Sequence, residues 1–398
     1  MGFGLGTSPL SFVPNTTGCP KRGRFAGSQA VDLLARLRWA RHQYEILVNT
    51  LCGCYGFAYN RYGRTKAAGG MAMTIAVTGA TGYLGSHMML ALYDRGENVL
   101  GLDTKGALPP WILGRIPFIH VSPEDPDVWC RAFVENNVDG IIHFVGSGTV
   151  PASLINPLSE YADTLVSTLT MLRAATRAKV PRLVFSSTAS VYGVPDRMPI
   201  REETPLTAIA PNGAAMSMAE RIVEDVCRPA AINTAILRYF NVAGADPKLR
   251  AGEGGRPKHL IKAAAQIATG ILDEPLKIYG DDYDTPDGTA IRDYIHVSDM
   301  ADAHASALDY LTRGGDSIRL NCGYGEGVSV YEVIEAVQRV TGKSMPTQIA
   351  PRRPGDPPQL IADNAAIRTK LGWSPRYDDI DLIVRTAIEW EDQSKAAA

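Results

Sequence analysis

The sequence lacks an uninterrupted apolar run of about 18 residues, which excludes the membrane-spanning helix class. It has six cysteines in 398 residues, too few and too scattered for a disulfide scaffold, which fits a reducing compartment. Net charge is nearly absent: 40 Lys and Arg face 42 Asp and Glu, a formal -2, so whole-chain electrostatics give no reason to expect a nucleic-acid partner. Internal repeats and low-complexity linkers are also missing. With 45% hydrophobic and 21% charged residues, the composition is that of a globular chain, and the length allows two or three domains with a sizeable core.

The small net charge hides an uneven distribution. Residues 1–70 hold nine basic residues and two acids, Asp32 and Glu45, a formal +7 that leaves 31 basic and 40 acidic residues, or -9, for the rest. The first 27 residues are rich in Gly, Ser, Thr and Pro, and only Ser28 to Leu51 reads as helical, with Val31, Leu34 and Leu37 at helical spacing. One helix makes no domain. Residues 1–72 are therefore read as a basic extension, disordered or a spurious upstream translation, with organelle targeting and a genuine extension as the other readings; no secretory pattern is visible. Cys52 and Cys54 form a C-x-C without a second ligand pair at usable spacing, so no metal site is expected there.

From Thr74 the pattern becomes informative. Thr74 to Thr78 is a short apolar, partly β-branched run that meets Gly79-Ala80-Thr81-Gly82-Tyr83-Leu84-Gly85 and then a helical stretch. A second strand, Asn98 to Leu102, ends at Asp103, 18 positions after Gly85, close to the distance of about 20 at which an acid meets a ribose hydroxyl. In such a strand, glycine turn and helix, Gly79 permits the tight turn, Gly82 lets the backbone approach a pyrophosphate, and Gly85 allows close packing of helix on strand. The reading is dinucleotide binding, and the acid at position 103 favours NAD over NADP.

Gly140 to Val145, Arg182 to Ser187 and Asn233 to Tyr239 read as further strands, with helical segments between them. This alternation predicts an α/β fold, a Rossmann-type doubly wound parallel sheet whose ligands gather at the carboxyl ends of the strands. Around Ala245 the pattern changes to a Gly-, Asp- and Pro-rich loop and smaller mixed elements. The expected division is an NAD-binding Rossmann domain at 73–245 and a smaller mixed α/β substrate domain at 246–398, interleaved with the first.

The motifs TGATGYLGSH (Thr78 to His87), HFVG (His143 to Gly146), SSTASVYG (Ser186 to Gly193), LRYFNVAGA (Leu237 to Ala245), DGTAIRDYIHVSDMADAH (Asp287 to His304) and PRRPGDPPQLIAD (Pro351 to Asp363) resemble the extended short-chain dehydrogenase/reductase family, specifically its UDP-glucose 4-epimerases. Related dehydratases usually place an Asp-Glu pair after the active-site Ser/Thr, whereas Thr188 is followed by Ala189-Ser190, which favours the epimerases. The resemblance implies NAD as cofactor, a UDP-hexose as partner and interconversion of UDP-glucose and UDP-galactose. It also implies a homodimer and no metal, while the globular composition, the absent export signal and the cytosolic setting of nucleotide-sugar chemistry lead to a cytoplasmic expectation, with neither nucleic acid nor membrane as partner. Cofactor contacts would come from Gly79, Gly82, Tyr83, Leu84, Gly85, Asp103, Ser186 and Tyr239. Asn241, His259, Leu260, Arg292, Arg353 and Asp356 would bind the nucleotide sugar, the guanidinium groups on the diphosphate and Asp356 on ribose or uracil.

In the family a Tyr removes the sugar 4-hydroxyl proton, a Lys four residues later lowers its pKa and binds the nicotinamide ribose, and a Ser or Thr bonds the same oxygen. Thr188 matches the third role. Where the family writes Pro-Tyr-Gly-x-Ser-Lys, this chain has Pro211-Asn212-Gly213-Ala214-Ala215-Met216, in a helix read to Glu220. Asn212 thus falls at the tyrosine position and Met216 at the lysine position, and neither residue titrates near neutral pH. Tyr62 to Lys66 reproduces the family pentapeptide, but just before the first strand, at the wrong edge of the sheet to replace the pair. On the cofactor side, Val121-Ser122-Pro123 stands where the family often has Gly-Asp-Ile, Thr164 where an Asn is common, and Gly148 where many members have a Lys.

Plainer roles compete with these. Arg292 could instead form a structural ion pair with Asp293 or Asp287, Asn241 could cap a turn, and Thr188 without its partners could be a hydrogen-bonding remnant. Tyr192 and Phe240 read as core, and His143 as a structural histidine. His296 and His304 lie eight apart in a helical stretch with Asp299 and Asp302, and no metal site is expected from them.

Overall fold

Thr74–Thr78, strand β1, sends Ile75 and Val77 into one apolar core and Ala76 into another. Such a strand is buried on both faces, as the centre of a parallel sheet must be. The computed structural model describes residues 74–104, 108–146, 150–353 and 355–396, all within the unit Met71–Ala398. The expectations for residues 1–72, including the helix, Cys52, Cys54, Tyr62 and Lys66, lie outside the described residues, as does Gly148.

After β1 come α1 (Tyr83–Asp94), β2 (Asn98–Asp103), β3 (Phe118–His120), α2 (Pro126–Glu135), β4 (Val138–His143), α3 (Val150–Ile155), α4 (Pro157–Ala178) and β5 (Arg182–Thr188). A 3-10 turn (Ala189–Tyr192) follows, then α5 (Pro211–Cys227), β6 (Asn233–Tyr239), β7 (Asn241–Ala243), α6 (Leu260–Ala268), β8 (Leu276–Tyr279), β9 (Ile291–Arg292) and β10 (Tyr294–His296). The chain ends with α7 (Val297–Thr312), β11 (Ile318–Cys322), β12 (Val328–Ser329), α8 (Val330–Thr341), β13 (Thr347–Ala350), β14 (Gln359–Leu360), α9 (Ala365–Leu371) and α10 (Ile380–Ala396).

Seven parallel strands form one sheet in the order β11-β6-β5-β4-β1-β2-β3. The cores place α1 and α7 on one face and α2, α4 and α5 on the other, the doubly wound α/β arrangement. Because β1 lies between β2 and β4, the winding reverses there and the carboxyl ends of β1 and β4 open a crevice. The remaining strands make small sheets beside the crevice: β7 with β10, β8 with β13, and β9 between β12 and β14. Helix α8 begins at a capping box in which the Ser329 hydroxyl accepts from the Glu332 N–H and the Glu332 carboxylate accepts from the Ser329 N–H.

Three elements differ from the sequence reading. β4 ends at His143 and not at Val145, because Gly146 adopts φ 97° and turns the chain out of the sheet. α5 passes Glu220 and runs to Cys227, carried by the buried row Ala215, Ala219, Val223 and Cys227 at four-residue spacing. His296 closes β10 and caps α7, its Nδ1 accepting from the Ser298 N–H at 3.1 Å.

Beneath the ends of β5 and β6 lies a buried polar network. Arg238 donates to both carboxylate oxygens of Glu220, Nη2 to Oε2 at 2.7 Å and Nε to Oε1 at 3.0 Å. Ser187 donates to Glu220 Oε1 at 2.5 Å, while Arg238 Nη1 donates to the Tyr192 hydroxyl at 2.9 Å and the Glu202 carbonyl at 3.0 Å. Tyr192 in turn donates to Asn321 Oδ1 at 2.7 Å, and Phe240 is buried in the same core. Glu220→Ala would leave the Arg238 charge buried without its partner, and is expected to destabilise the fold by roughly 3–5 kcal/mol, read as a lower denaturant midpoint in equilibrium unfolding.

Candidate functional site

The glycine turn after β1 is closed by main-chain contact. Gly79 has φ 64°, and a Cβ there would meet the Phe144 carbonyl oxygen at 2.6 Å. A Cβ on Gly85 would fall on the carbonyl of Gly79, so only glycine lets α1 sit directly on the turn. The amino end of α1 has no acid in its first turn, which leaves its N–H groups and partial positive charge to an anion. Gly82, Tyr83 and Leu84 line the cleft beside it. Tyr83 spends its hydroxyl on the Gly244 carbonyl at 2.6 Å, and burial, followed by the charge of Glu253, raises this phenol well above its ordinary value.

Asp103 closes the turn from β2: its Oδ2 accepts from the Thr81 N–H at 2.8 Å and the Thr81 hydroxyl at 2.6 Å. His143, at the end of β4, meets the Thr78 hydroxyl at 2.6 Å through Nδ1 and the Thr168 hydroxyl at 3.4 Å through Nε2. Burial pushes its pKa down to about 3, so it is a neutral, fully engaged ring. Ser186 meets His304 Nε2 at 3.1 Å, and burial lowers His304 to about 4. His296 meets Thr386 instead, at 3.1 Å, and no cluster of three metal-ligating groups occurs among the described residues.

Thr188 ends β5. Its hydroxyl accepts from the Ser190 N–H at 3.2 Å and donates to the Ser190 hydroxyl at 3.3 Å, capping the 3-10 turn. Helix α5 lies against that turn, since a Cβ on Gly213 would strike the Ser190 carbonyl. This close approach brings Asn212, in the first turn of α5, and Met216, one turn later, to the cleft wall that also carries Thr188. Asn212 is 7% exposed and Met216 4%. The Asn212 Oδ1 is a buried acceptor with no hydrogen-bond partner among the described residues.

The sequence reading passed over Glu160. This residue is 3% exposed, and its Oε1 lies 3.4 Å from the point where a Gly146 Cβ would stand, as does the Met216 Cε; the Thr164 hydroxyl oxygen is 3.3 Å from it. The signal was present: Glu160, Thr164 and Thr168 form a polar row at four-residue spacing on the buried face of α4. In the stretch Val121-Ser122-Pro123, the Ser122 carbonyl accepts from the Trp129 indole at 2.8 Å.

Across the crevice, Arg292 is 8% exposed. Its Nη1 donates to its neighbour's carbonyl, that of Ile291, at 2.7 Å and its Nη2 is bonded to Asp356. The ion pair is therefore neither with Asp293, which accepts from the N–H groups of Tyr324, Gly325 and Ala362, nor with Asp287, which takes Ser329 and Thr289. The Arg353 guanidinium lies 3.8 Å over the Tyr279 ring. Asn241 is in β7, His259 precedes the first turn of α6 and Leu260 opens that helix.

The residues expected to act in catalysis, cofactor binding and nucleotide-sugar binding, Tyr239 included, line one cleft of about 1250 Å³, whereas Thr164, Ser122, Tyr192, His296 and His304 do not. A glycine turn with a helix amino end and a carboxylate stands on one side, and two arginines on the other, Arg292 in its ion pair with Asp356 and Arg353 over Tyr279, an arrangement that can take an extended ligand carrying phosphates.

A model of the NAD dependent epimerase/dehydratase family matches residues 75–323. A UDP-glucose 4-epimerase of Azospirillum brasilense is 46% identical over 80% of this chain and 91% of its own. Another, from Lacticaseibacillus casei, is 40% identical over 80% of this chain and 97% of its own. Among solved structures, the UDP-glucose-4-epimerase of Stenotrophomonas maltophila with bound NAD and formylated UDP-arabinopyranose matches with a TM-score of 0.78 at 34% identity, covering 82% of this chain and all of that one. The Bifidobacterium longum enzyme in complex with NAD+ and UDP matches with a TM-score of 0.77 at 35% identity, over 82% of this chain and 100% of that one. With this match in sequence and in fold, the chain belongs to the NAD dependent epimerase/dehydratase family.

Proposed function

We propose that this chain binds NAD across the switch point and a UDP-hexose beside it, in a UDP-glucose 4-epimerase-like site whose turnover is slow or lost. The reading that fits best after it is a non-catalytic nucleotide-sugar-binding paralogue. The observation that carries the proposal is the single cleft joining the glycine turn and Asp103 to Arg292, Asp356 and Arg353. The turn fits a dinucleotide, because side chains on Gly79 or Gly85 would collide with main chain and Gly82 leaves the amino end of α1 approachable. NAD bound there would supply the hydride acceptor that C4 epimerisation requires.

This chain's own residues set the limits. The Thr188 hydroxyl can hold a sugar oxygen. Asn212, at the position of the family's base, can accept a hydrogen bond from a hydroxyl but cannot take its proton, and the Met216 thioether offers neither charge nor strong donor. A positioned base is worth about 10²- to 10⁴-fold, or about 3–5 kcal/mol of barrier. Asn212 therefore supports hydroxyl binding without proton removal. The same reading divides the chain into a cofactor part at 73–245 and a mainly UDP-sugar part at 246–398. It includes a homodimer in the cytoplasm; exposed Leu158 and Leu169 on α4 and Met218 on α5 support the dimer. No helix among the described residues is long and apolar enough to cross a membrane.

Incubation with UDP-galactose and NAD, followed by NMR, is expected to show little or no UDP-glucose from this protein and a clear gain from the Asn212→Tyr, Met216→Lys double replacement. Efficient turnover by the unaltered chain would overturn the reading. Calorimetry with UDP and NAD separately is expected to give the tighter binding for UDP. Arg292→Ala should weaken UDP by about tenfold or more while leaving NAD affinity in place.

A further inference from the structure

Among the described residues that line the cleft, acids occur throughout but cations do not. The lining residues between Thr78 and Tyr239 include Asp103, Glu160 and Asp163 and no lysine or arginine. Each cation on the wall, Lys258, Lys262, Lys277, Arg292 and Arg353, comes from the chain beyond Gly244. Beyond Gly244 these cations share the wall with Glu253, Glu274, Asp356 and Glu391, and Lys262 and Arg292 are ion-paired with Glu391 and Asp356, so what sets the first end apart is that its acids face no cationic side chain on the cleft wall.

The first end has a defined geometry. Glu160 reaches the wall from α4 beside Gly146, with the Met216 methyl converging on the same point. One turn before Met216, the Asn212 carbonyl oxygen is buried and without a partner among the described residues. The negative charge of Glu160 also reaches Tyr239, whose phenol is held up to about 12 by burial first and this charge second, and so stays neutral. With His143 neutral and engaged by Thr78 and Thr168, no cationic side chain among the described residues lines this end to offset the Glu160 carboxylate.

The strand order gives this end its occupant. With a pyrophosphate on the glycine turn of β1 and a ribose toward Asp103 on β2, the other half of a dinucleotide runs over β4 and β5, past Gly146, Glu160, Met216 and Thr188. We infer that Glu160 makes this end of the cleft select a positively charged ring, so that the chain holds NAD+ in preference to NADH. This inference rests on the dinucleotide part of the proposed function. Oxidised nicotinamide carries a positive charge that the reduced ring lacks, and a buried carboxylate on the wall beside it favours the charged ring. The same preference opposes departure of hydride from a bound sugar, because the attraction is lost when the ring is reduced.

The test is calorimetric titration of the full chain with NAD+ and with NADH. The expected result is NAD+ binding about tenfold or more tighter, a ratio that falls toward one in Glu160→Gln and is largely restored in Glu160→Asp. Met216→Lys, which sets an ammonium beside Glu160 and does not touch the carboxylate itself, should collapse the ratio independently. Equal affinities in the unaltered chain, or a ratio that survives both Glu160→Gln and Met216→Lys, would overturn the inference and leave the dinucleotide reading standing. Failure of both dinucleotides to bind while UDP binds would overturn both.

Discussion

A guanidinium and a carboxylate buried together under the ends of β5 and β6 are the constraint on which the site depends. Desolvating two charges is costly, and only near-complete hydrogen bonding offsets the cost. Arg238 and Glu220 meet that demand by drawing Ser187 from β5, Tyr192 from the following turn and, through Tyr192, Asn321 from β11 into one network. Glu220 is also two turns beyond Asn212 and one beyond Met216, on the same face of α5. Pinning Glu220 fixes the rotation of the helix, and with it which side chains stand at the wall of the cleft.

What the sequence made legible was whatever depends on neighbours along the chain. The strand, glycine turn and helix at Thr74 to Gly85 are a local pattern, and the acid at Asp103 sits at a local spacing from it; both are where the reading put them. Less visible were features decided by distant partners. β4 stops early because Gly146 turns away from the sheet, and α5 continues because its lower half has a core to meet. Arg292 pairs with Asp356, 64 residues on, and not with the nearby Asp293. That aspartate is already committed to three main-chain N–H groups, which no spacing rule reveals. Glu160 escaped notice because an acid near a helix start reads as favourable to the helix dipole, while its burial follows from the approach of Gly146 and Met216.

The wall of the cleft is not uniformly basic, since each of its cationic side chains comes from the chain beyond Gly244. On the glycine side, the positive charge available to a ligand is that of main-chain N–H groups and a helix amino end, with no basic side chain beside them. On the other side, guanidinium groups do the work that main chain does opposite them.

Gly213 has a wider implication. Helix α5 touches the turn after β5 through main chain on main chain, with Ala208 the next atom a side chain would crowd. The gap between those two pieces of scaffold is consequently blind to what positions 212 and 216 carry. The outline of the vessel is set by that backbone contact, and the chemistry along its wall by side chains that take no part in it.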